Sequence, residues 1–411
     1  MRNTIAFNPL SMPTYVMAKP NGSSCNLNCS YCYYLEKAKL YENRKSHQMS
    51  DETLEKYIEN YIQAQPVPEV LFTWHGGETL LRDISFYRKA LMFQKKYGRG
   101  RKIENSLQTN GTLLTNEWCK FFKENDFLIG ISIDGPEHCH DVYRKNKGGK
   151  DTFKEVMQGI ELLQKHGVEF NTLSVINNYN VDYPLEIYNF FKEIGSKYMQ
   201  FTPIVEKITT SRTDNLKLLP PNGEGSNEAV LAPWTVDAKK FGQFYIALFD
   251  EWIKKDVGKY FIQLFDSTLA GIAGEQPGTC IFGKTCGHAT VMEFNGDVYA
   301  CDHYVFPEYK IGNIKTHTIY EMVFSQKQLQ FGADKYEKLP TQCKQCEFLK
   351  VCYGECPKNR IIKTSTGEPG LNYLCQGYKA YYKHTKPYME FMANELFFKR
   401  SPANVMNLKK Y

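Results

Sequence analysis

A chain of 411 residues, 42% of them apolar, is long enough to bury one large core or two medium ones, and its composition does not mark it as disordered. It has no run of 18 apolar residues and no apolar stretch of the signal-peptide kind before Lys19, so a membrane span and secretion are not expected and a cytoplasmic protein is. Thirteen cysteines in such a chain point to metal ligation rather than disulfides, and the formal charge of +6 lies in short runs such as Lys95-Lys96 that read as solvated helix ends, not as a nucleic-acid surface.

From Met12 to about Lys255, β-rich runs alternate with amphipathic helical patterns, the mark of βα units around a parallel sheet. The first strand is expected over Thr14–Lys19, and the loop after it carries Cys25, Cys29 and Cys32 in a C-x3-C-x2-C run. Three thiolates leave one coordination position open, whereas a structural zinc site closes its tetrahedron with four ligands, so this run suggests reaction chemistry. Ser50, followed by Glu52-Thr53-Leu54, starts a helix to Gln63. A strand over Glu69–Trp74 leads into His75-Gly76-Gly77-Glu78, where glycines allow close backbone approach and Glu78 can accept from an ammonium group. The strand Glu104–Thr109 runs into Gln108-Thr109-Asn110-Gly111-Thr112, a polar strand end that could face either cofactor or substrate. The helix Thr115–Asn125 contains Cys119, read as a packing residue. The strand Phe127–Ser132 follows, with Asp134 and Arg144 beyond it, and then the strands Glu169–Ile176 and Tyr198–Ile204. Six such units make an open partial barrel whose ligands sit at the carboxyl ends of the strands. Cys139 lies between His138 and His140, with no fourth ligand nearby to complete a zinc site, and residues 206–234 read as an insertion.

Eight further cysteines follow: Cys280, Cys286 and Cys301, then Cys343-x2-Cys346-x5-Cys352-x3-Cys356, then Cys375. They suffice for two four-thiolate sites, which suit zinc or iron alike. Asn295-Gly296-Asp297 reads as a hairpin turn between Thr290–Phe294 and Val298–Ala300, and the returning strand delivers Cys301-Asp302-His303-Tyr304 beside a metal site. A partly desolvated carboxylate next to an anionic cluster is expected to have a raised pKa, which would make Asp302 a better base near neutrality, with His303 as its competitor. The tail from Tyr378 to Phe398, with Tyr381, Tyr382, Tyr388, Phe391, Met392 and Leu396, reads as a helix packed back on the body.

The Cys25–Cys32 run resembles the signature of the radical S-adenosylmethionine (SAM) enzymes. The later cysteines resemble the SPASM extension, in which Cys286, Gly296 and Cys301 meet the upstream pattern, and Cys301-Asp302-His303-Tyr304 is similar to the Cys-Asp-x-Tyr segment of the anaerobic sulfatase-maturating enzymes. The likeness extends from about Lys19 to Tyr378, with Thr79 where the family usually has proline after Gly-Gly-Glu. It implies a partial (β/α)6 radical SAM barrel over residues 12–255, a SPASM domain with two auxiliary clusters over 270–378 and a C-terminal helical tail over 379–411. Three [4Fe–4S] clusters are implied. Cys25, Cys29 and Cys32 would hold the one that binds SAM; Cys280, Cys286, Cys301 and Cys356 would hold one auxiliary cluster, and Cys343, Cys346, Cys352 and Cys375 the other. SAM contacts are implied for Tyr31 near the adenine, for Gly77, Ser132 and Arg144, and for Val205 through an apolar or backbone contact. Ligation by these thiolates around three cores of about +2 each would lower the net charge to about +1.

The resemblance also implies the activity: oxidation of an active-site cysteine or serine of a sulfatase to Cα-formylglycine without oxygen. A 5′-deoxyadenosyl radical would take a Cβ hydrogen from a Cys/Ser-x-Pro-Ser/Ala-x-Arg segment, Asp302 would remove the thiol or hydroxyl proton, and an auxiliary cluster would accept an electron. The implied partners are unfolded sulfatase chains and an electron donor such as flavodoxin or ferredoxin, with no nucleic acid and no membrane. One alternative is a radical SAM/SPASM enzyme that forms thioether or carbon–carbon crosslinks in a ribosomal peptide; the short segment before Cys25 leaves little room for the peptide-recognition domain such enzymes often carry. The other is a non-catalytic zinc-binding interaction protein.

Overall fold

The computed structural model describes residues 13–43, 46–209, 217–219 and 229–408. Strands and helices alternate through the first half: β1 (Tyr15–Ala18), α1 (Asp51–Gln63), β2 (Glu69–Trp74), α2 (Ile84–Gly98), β3 (Lys102–Thr109), α3 (Asn116–Glu124), β4 (Phe127–Ser132), α4 (Phe153–Lys165), β5 (Phe170–Ile176), α5 (Pro184–Glu193) and β6 (Tyr198–Pro203). After them come α6 (Ala238–Lys255), β7 (Phe261–Ile262), α7 (Gln263–Ala273), β8 (Ala289–Met292), β9 (Asp297–Tyr299), β10 (Lys310–Asn313), α8 (Gln326–Glu337) and α9 (Cys375–Phe397). β1 to β6 are parallel neighbours in chain order, the six-unit open barrel expected from the alternation.

Local chemistry explains the helix starts and the faces they bury. Ser50 Oγ accepts from Thr53 N–H at 3.2 Å, and Thr115 Oγ1 accepts from Trp118 N–H at 3.3 Å, each satisfying an otherwise unpaired donor of a first turn. In α1, Leu54, Tyr57, Ile58, Tyr61 and Ile62 recur at helical spacing and are all buried. Tyr57 packs edge-on against Phe72 with centroids 5.7 Å apart, and its hydroxyl donates to Val16 O at 2.8 Å, tying the helix to β1. Cys119 is fully buried in α3, as a packing residue should be.

The hairpin at Asn295-Gly296 forms, and it does more than deliver Cys301. β8 pairs in parallel with β1, Tyr15 opposite Ala289 through Ala18 opposite Met292, so β8, β9 and β10 extend the barrel sheet beyond its first strand. Thr290, Val291 and Met292 are buried, and that apolar run needs a covered edge. Local patterning reveals a hairpin but not a pairing with a strand so distant in sequence.

The tail is one helix beginning at Cys375 and packed on α6 and α7. A Cβ at Gly242 would lie 2.7 Å from Gly377 Cα, so the α6 and α9 backbones meet at a glycine pair. Tyr381, Tyr382 and Met392 of this helix are buried, whereas Leu396 is 42% exposed near the helix end. Of the 206–234 segment, Lys207–Ile208 pairs with Val230–Leu231, and the N–H groups of Lys217 and Leu218 donate to the Glu36 carboxylate; residues 210–216 and 220–228 lie outside the described residues. Among the described residues no helix is long and apolar enough to cross a membrane.

Candidate active site

The loop carrying Cys25, Cys29 and Cys32 leaves the carboxyl end of β1 and is braced by the ends of β2 and β3. Gly77 N–H donates to Gly22 O and Glu78 N–H to Ser24 O, both at 2.8 Å. A Cβ at Gly77 would lie 2.1 Å from the Ser24 carbonyl oxygen, so glycine is required here for the approach of the cysteine loop. Gly77→Ala is therefore expected to displace that loop and remove about one cluster's worth of iron along with SAM cleavage. Iron analysis beside a 5′-deoxyadenosine assay checks this, and full retention of both would refute it.

Glu78 corrects an expectation. Its carboxylate is fully buried and engaged within the protein: Oε1 accepts from Leu80 N–H at 2.9 Å and Thr109 Oγ1 at 2.7 Å, and Oε2 from Asn110 N–H at 2.8 Å. Burial pushes its pKa up while these donors pull it back. A buried carboxylate needs such partners, so Glu78 holds the strand ends together instead of meeting a ligand's ammonium. Asn110 Nδ2 donates to Asn26 Oδ1 at 2.9 Å and lies 3.8 Å from Cys25 Sγ, so the polar end of β3 faces the cysteine loop.

Beyond the end of β4 two of the named groups, Tyr31 and Arg144, meet through a third residue, Asp134. The Tyr31 hydroxyl donates to Asp134 Oδ2 at 2.5 Å, and Arg144 reaches the same carboxylate through Nε and Nη2, each at 3.0 Å. Burial works against the Arg144 charge, but Asp134, Tyr31 and Cys29 together outweigh it and keep the guanidinium protonated. Ser132 Oγ accepts from Gln108 Nε2 at 2.7 Å. Val205 lies in the core, and its carbonyl accepts from Lys358 Nζ at 2.7 Å, so its carbonyl is already engaged. Burial pushes the Cys25 and Cys29 thiols up to about 11 and about 12, with the Arg144 charge pulling Cys29 back toward the thiolate. All three thiols are free, and each lies in the electrostatic field of at least one other, as ligands of one group must.

The joining of β8 to β1 brings Asp302 to the barrel mouth. Lys19, directly after β1 and fully buried, pairs with Asp302 Oδ1 at 2.5 Å, and the Tyr33 hydroxyl donates to Oδ2. Lys19 Nζ also lies 3.5 Å from His75 Nδ1 and 3.5 Å from the Tyr34 ring centroid. The pKa expectation for Asp302 is thereby reversed. Burial raises it, but Lys19, then His75 and His303, outweigh burial and hold the carboxyl well below the usual carboxylate range. Burial likewise lowers both imidazoles, His75 to about 4, and the buried Nδ1 of His303 has no hydrogen-bond partner.

The eight later thiols are all free and fall into two groups. Cys301 senses Cys280 and Cys356, and Cys286 and Cys356 each sense Cys280; Cys343 senses Cys375 and Cys346, and Cys352 senses Cys375 and Cys343. Cys343, Cys346, Cys352 and Cys375 line a single cavity with Tyr378 and Lys379. Among the described residues no three histidine, cysteine or acidic side chains converge closely enough for a single ion, whereas thiolates around a cubic four-iron core stand farther apart than on one zinc. His138, Cys139 and His140 form no such group either: His140 is buried, with Nε2 at 3.2 Å from Thr152 Oγ1, while His138 packs on Tyr183.

A family model described as the radical SAM superfamily matches residues 22–191, and one described as an iron-sulfur cluster-binding domain (SPASM) matches 280–347. The serine-type anaerobic sulfatase-maturating enzyme of Bacteroides thetaiotaomicron is 59% identical over 402 residues, covering 98% of this chain and 96% of that one. The chain belongs to the anaerobic sulfatase-maturating enzymes. The cysteine-type enzyme of Clostridium perfringens is 33% identical, over 93% of this chain and 99% of its own. A solved anaerobic sulfatase-maturating enzyme (anSMEcpe) with bound AdoMet and a Cp18Cys peptide superposes with a TM-score of 0.80 at 32% identity, over 94% of this chain and 100% of that one. In this sulfatase-maturating enzyme, sequence reasoning singled out the strand-end segments that hold His75, Asn110 and Asp134 without giving those three residues roles, and it missed Lys19 and Tyr33 as site residues. The signal for Lys19 was its place directly after the apolar β1.

Proposed function

We propose that this enzyme converts a serine of a sulfatase chain to Cα-formylglycine without oxygen, and takes cysteine as the lesser target. The serine preference is supported by the 59% identity to the serine-type enzyme of B. thetaiotaomicron. The observation that carries the reading is Asp302, an ionised carboxylate held by Lys19 and Tyr33 at the barrel mouth and one residue from Cys301.

Bound at Cys25, Cys29 and Cys32, a [4Fe–4S] cluster with SAM supplies a 5′-deoxyadenosyl radical able to remove a Cβ hydrogen from the target. Tyr31, Gly77, Ser132, Arg144 and Val205 would line the SAM site, with Asp134 fixing Tyr31 and Arg144. Asp302 accepts the target's hydroxyl or thiol proton. Its low proton affinity suffices because that proton becomes more acidic as the adjoining carbon is oxidised. Two more [4Fe–4S] clusters are held by Cys280, Cys286, Cys301 and Cys356 and by Cys343, Cys346, Cys352 and Cys375, making three in all. Residues 12–255 serve as the barrel, 270–378 as the auxiliary-cluster part and 379–411 as the tail that closes on both. The substrate enters as an extended, unfolded sulfatase segment, and a one-electron carrier such as flavodoxin or ferredoxin supplies reducing equivalents in the cytoplasm, where thiols stay reduced.

The test is anaerobic incubation with SAM, reductant and twin peptides carrying Ser-x-Pro-Ser-x-Arg and Cys-x-Pro-Ser-x-Arg, read by mass spectrometry. Aldehyde should form from the serine peptide at least as fast as from its twin. Conversion of the cysteine peptide alone would reverse the target type, and 5′-deoxyadenosine release with both peptides intact would point away from this substrate motif.

A further inference from the structure

α8 turns one polar stripe toward the first auxiliary thiol set. Gln328 Nε2 donates to Gly287 O at 2.9 Å and Ala300 O at 3.0 Å, the carbonyls next to Cys286 and Cys301. One turn on, a Cβ at Gly332 would lie 2.4 Å from Cys286 O, and Cys286 N–H donates to Gly332 O at 3.3 Å. One turn further, the fully buried Lys335 donates from Nζ to the carbonyls of Cys280, Ile281 and Gly283 at 2.5, 2.7 and 2.5 Å. Positions i, i+4 and i+7 of one helix thus brace three of the four thiols.

Three carbonyl acceptors call for three N–H donors, and only the ammonium form of lysine carries three. Lys335 is therefore a buried cation, and among the described residues no carboxylate forms an ion pair with it. Arg360 lies behind it in the same condition: Nη1 donates to Lys335 O at 2.5 Å, and Nε and Nη2 donate to the carbonyls of Gly354, Tyr353 and Glu355, in the turn from Cys352 to Cys356. The buried Glu355 carboxylate in that turn is held instead by the side-chain amides of Asn359 and Asn372 at 3.0 and 2.6 Å. Glu355 is thus one buried carboxylate within the field of two buried cations, and buried charges are stable only when compensated, so a further negative charge belongs here.

We infer that the anion is the auxiliary cluster itself: Lys335, backed by Arg360, is the fixed counter-charge of the Cys280, Cys286, Cys301 and Cys356 site and raises its reduction potential. The inference rests on the reading that the eight later cysteines hold two clusters. Four thiolates around a core of about +2 carry about −2, and one-electron reduction makes that more negative, so a fixed cation favours the reduced state. The site beside Asp302 thereby becomes a good acceptor for the electron released as the substrate is oxidised. Lys335 acts through the cluster and is a positioning residue.

The experiment is iron analysis and a dithionite titration of the reconstituted full-length enzyme, followed by electron paramagnetic resonance, on wild type, Lys335→Met and Lys335→Arg. Wild type should hold about twelve irons, four per cluster. In Lys335→Met one auxiliary signal should show at least a tenfold lower reduced-to-oxidised ratio at fixed poise, a midpoint lower by about 59 mV, with the other two signals unmoved. Lys335→Arg should return the midpoint toward wild type. Iron retained with an unmoved midpoint in the Met variant overturns the inference. If the Met variant loses about four irons, full iron in the Arg variant upholds the need for a cation, and the same loss in both overturns it. A wild type with about four irons rejects the two-cluster reading itself, before any variant is made.

Discussion

Asp302→Asn is expected to lower formylglycine formation by about 10²- to 10⁴-fold, the range a positioned general base contributes, while 5′-deoxyadenosine release continues. Asparagine keeps the size and can still accept from Tyr33, but it takes no proton from the target. The divided outcome is the point, because misfolding or cluster loss would stop SAM cleavage as well. Product and deoxyadenosine are therefore counted in one reaction mixture by mass spectrometry. The neighbouring His303 offers a built-in contrast. Its Nδ1 is buried without a partner and burial lowers its pKa, so it is a neutral imidazole able to accept a proton. If it were the base, His303→Gln would abolish product and Asp302→Asn would leave most of it, the reverse of the expected pair.

How much of this site can be read before folding depends on whether its parts are local. The cysteine spacings, the strands ending at Trp74, Thr109 and Ser132 and the hairpin at Gly296 are local patterns, and each stands in the structure within a residue or two of its expected place. Lys19 is different. A lysine closing an apolar strand carries no local sign of its partner, and only the pairing of β8 with β1 brings Asp302 to it. The direction of the Asp302 pKa fails for the same reason, since burial was foreseeable and the cation opposing it was not. Glu78 inverts the case. The Gly-Gly-Glu turn is legible, but two of the donors that engage its carboxylate come from β3 and the residue after it, another βα unit. The helix face of Gln328, Gly332 and Lys335 is written in plain helical spacing, yet it means nothing until the carbonyls it meets are known to flank thiols.

The Lys19–Asp302 pair yields the sharpest energetic expectation. Lys19 is fully buried and the Asp302 side chain is 17% exposed, so neither charge is well solvated. Lys19→Met removes one partner and leaves a nearly buried carboxylate beside His75 and Tyr33. Breaking a buried pair in this way costs about 3–5 kcal/mol, which should appear as a clear drop in the anaerobic melting temperature. Without the cation, burial is the strongest influence left on Asp302, and formylglycine formation should fall as the carboxylate loses both its charge and its fixed orientation. Replacing both partners behaves differently, because removing two charges together leaves no unpaired ion in the low-dielectric mouth. Lys19→Met with Asp302→Asn is therefore expected to recover much of the lost stability while remaining as inactive as Asp302→Asn alone. The coupling energy from that double-mutant cycle separates the pair from the packing of either side chain. A double variant whose melting temperature is the sum of the two single losses would show that the ion pair contributes little and that Lys19 matters for its contacts with Tyr34 and His75 instead.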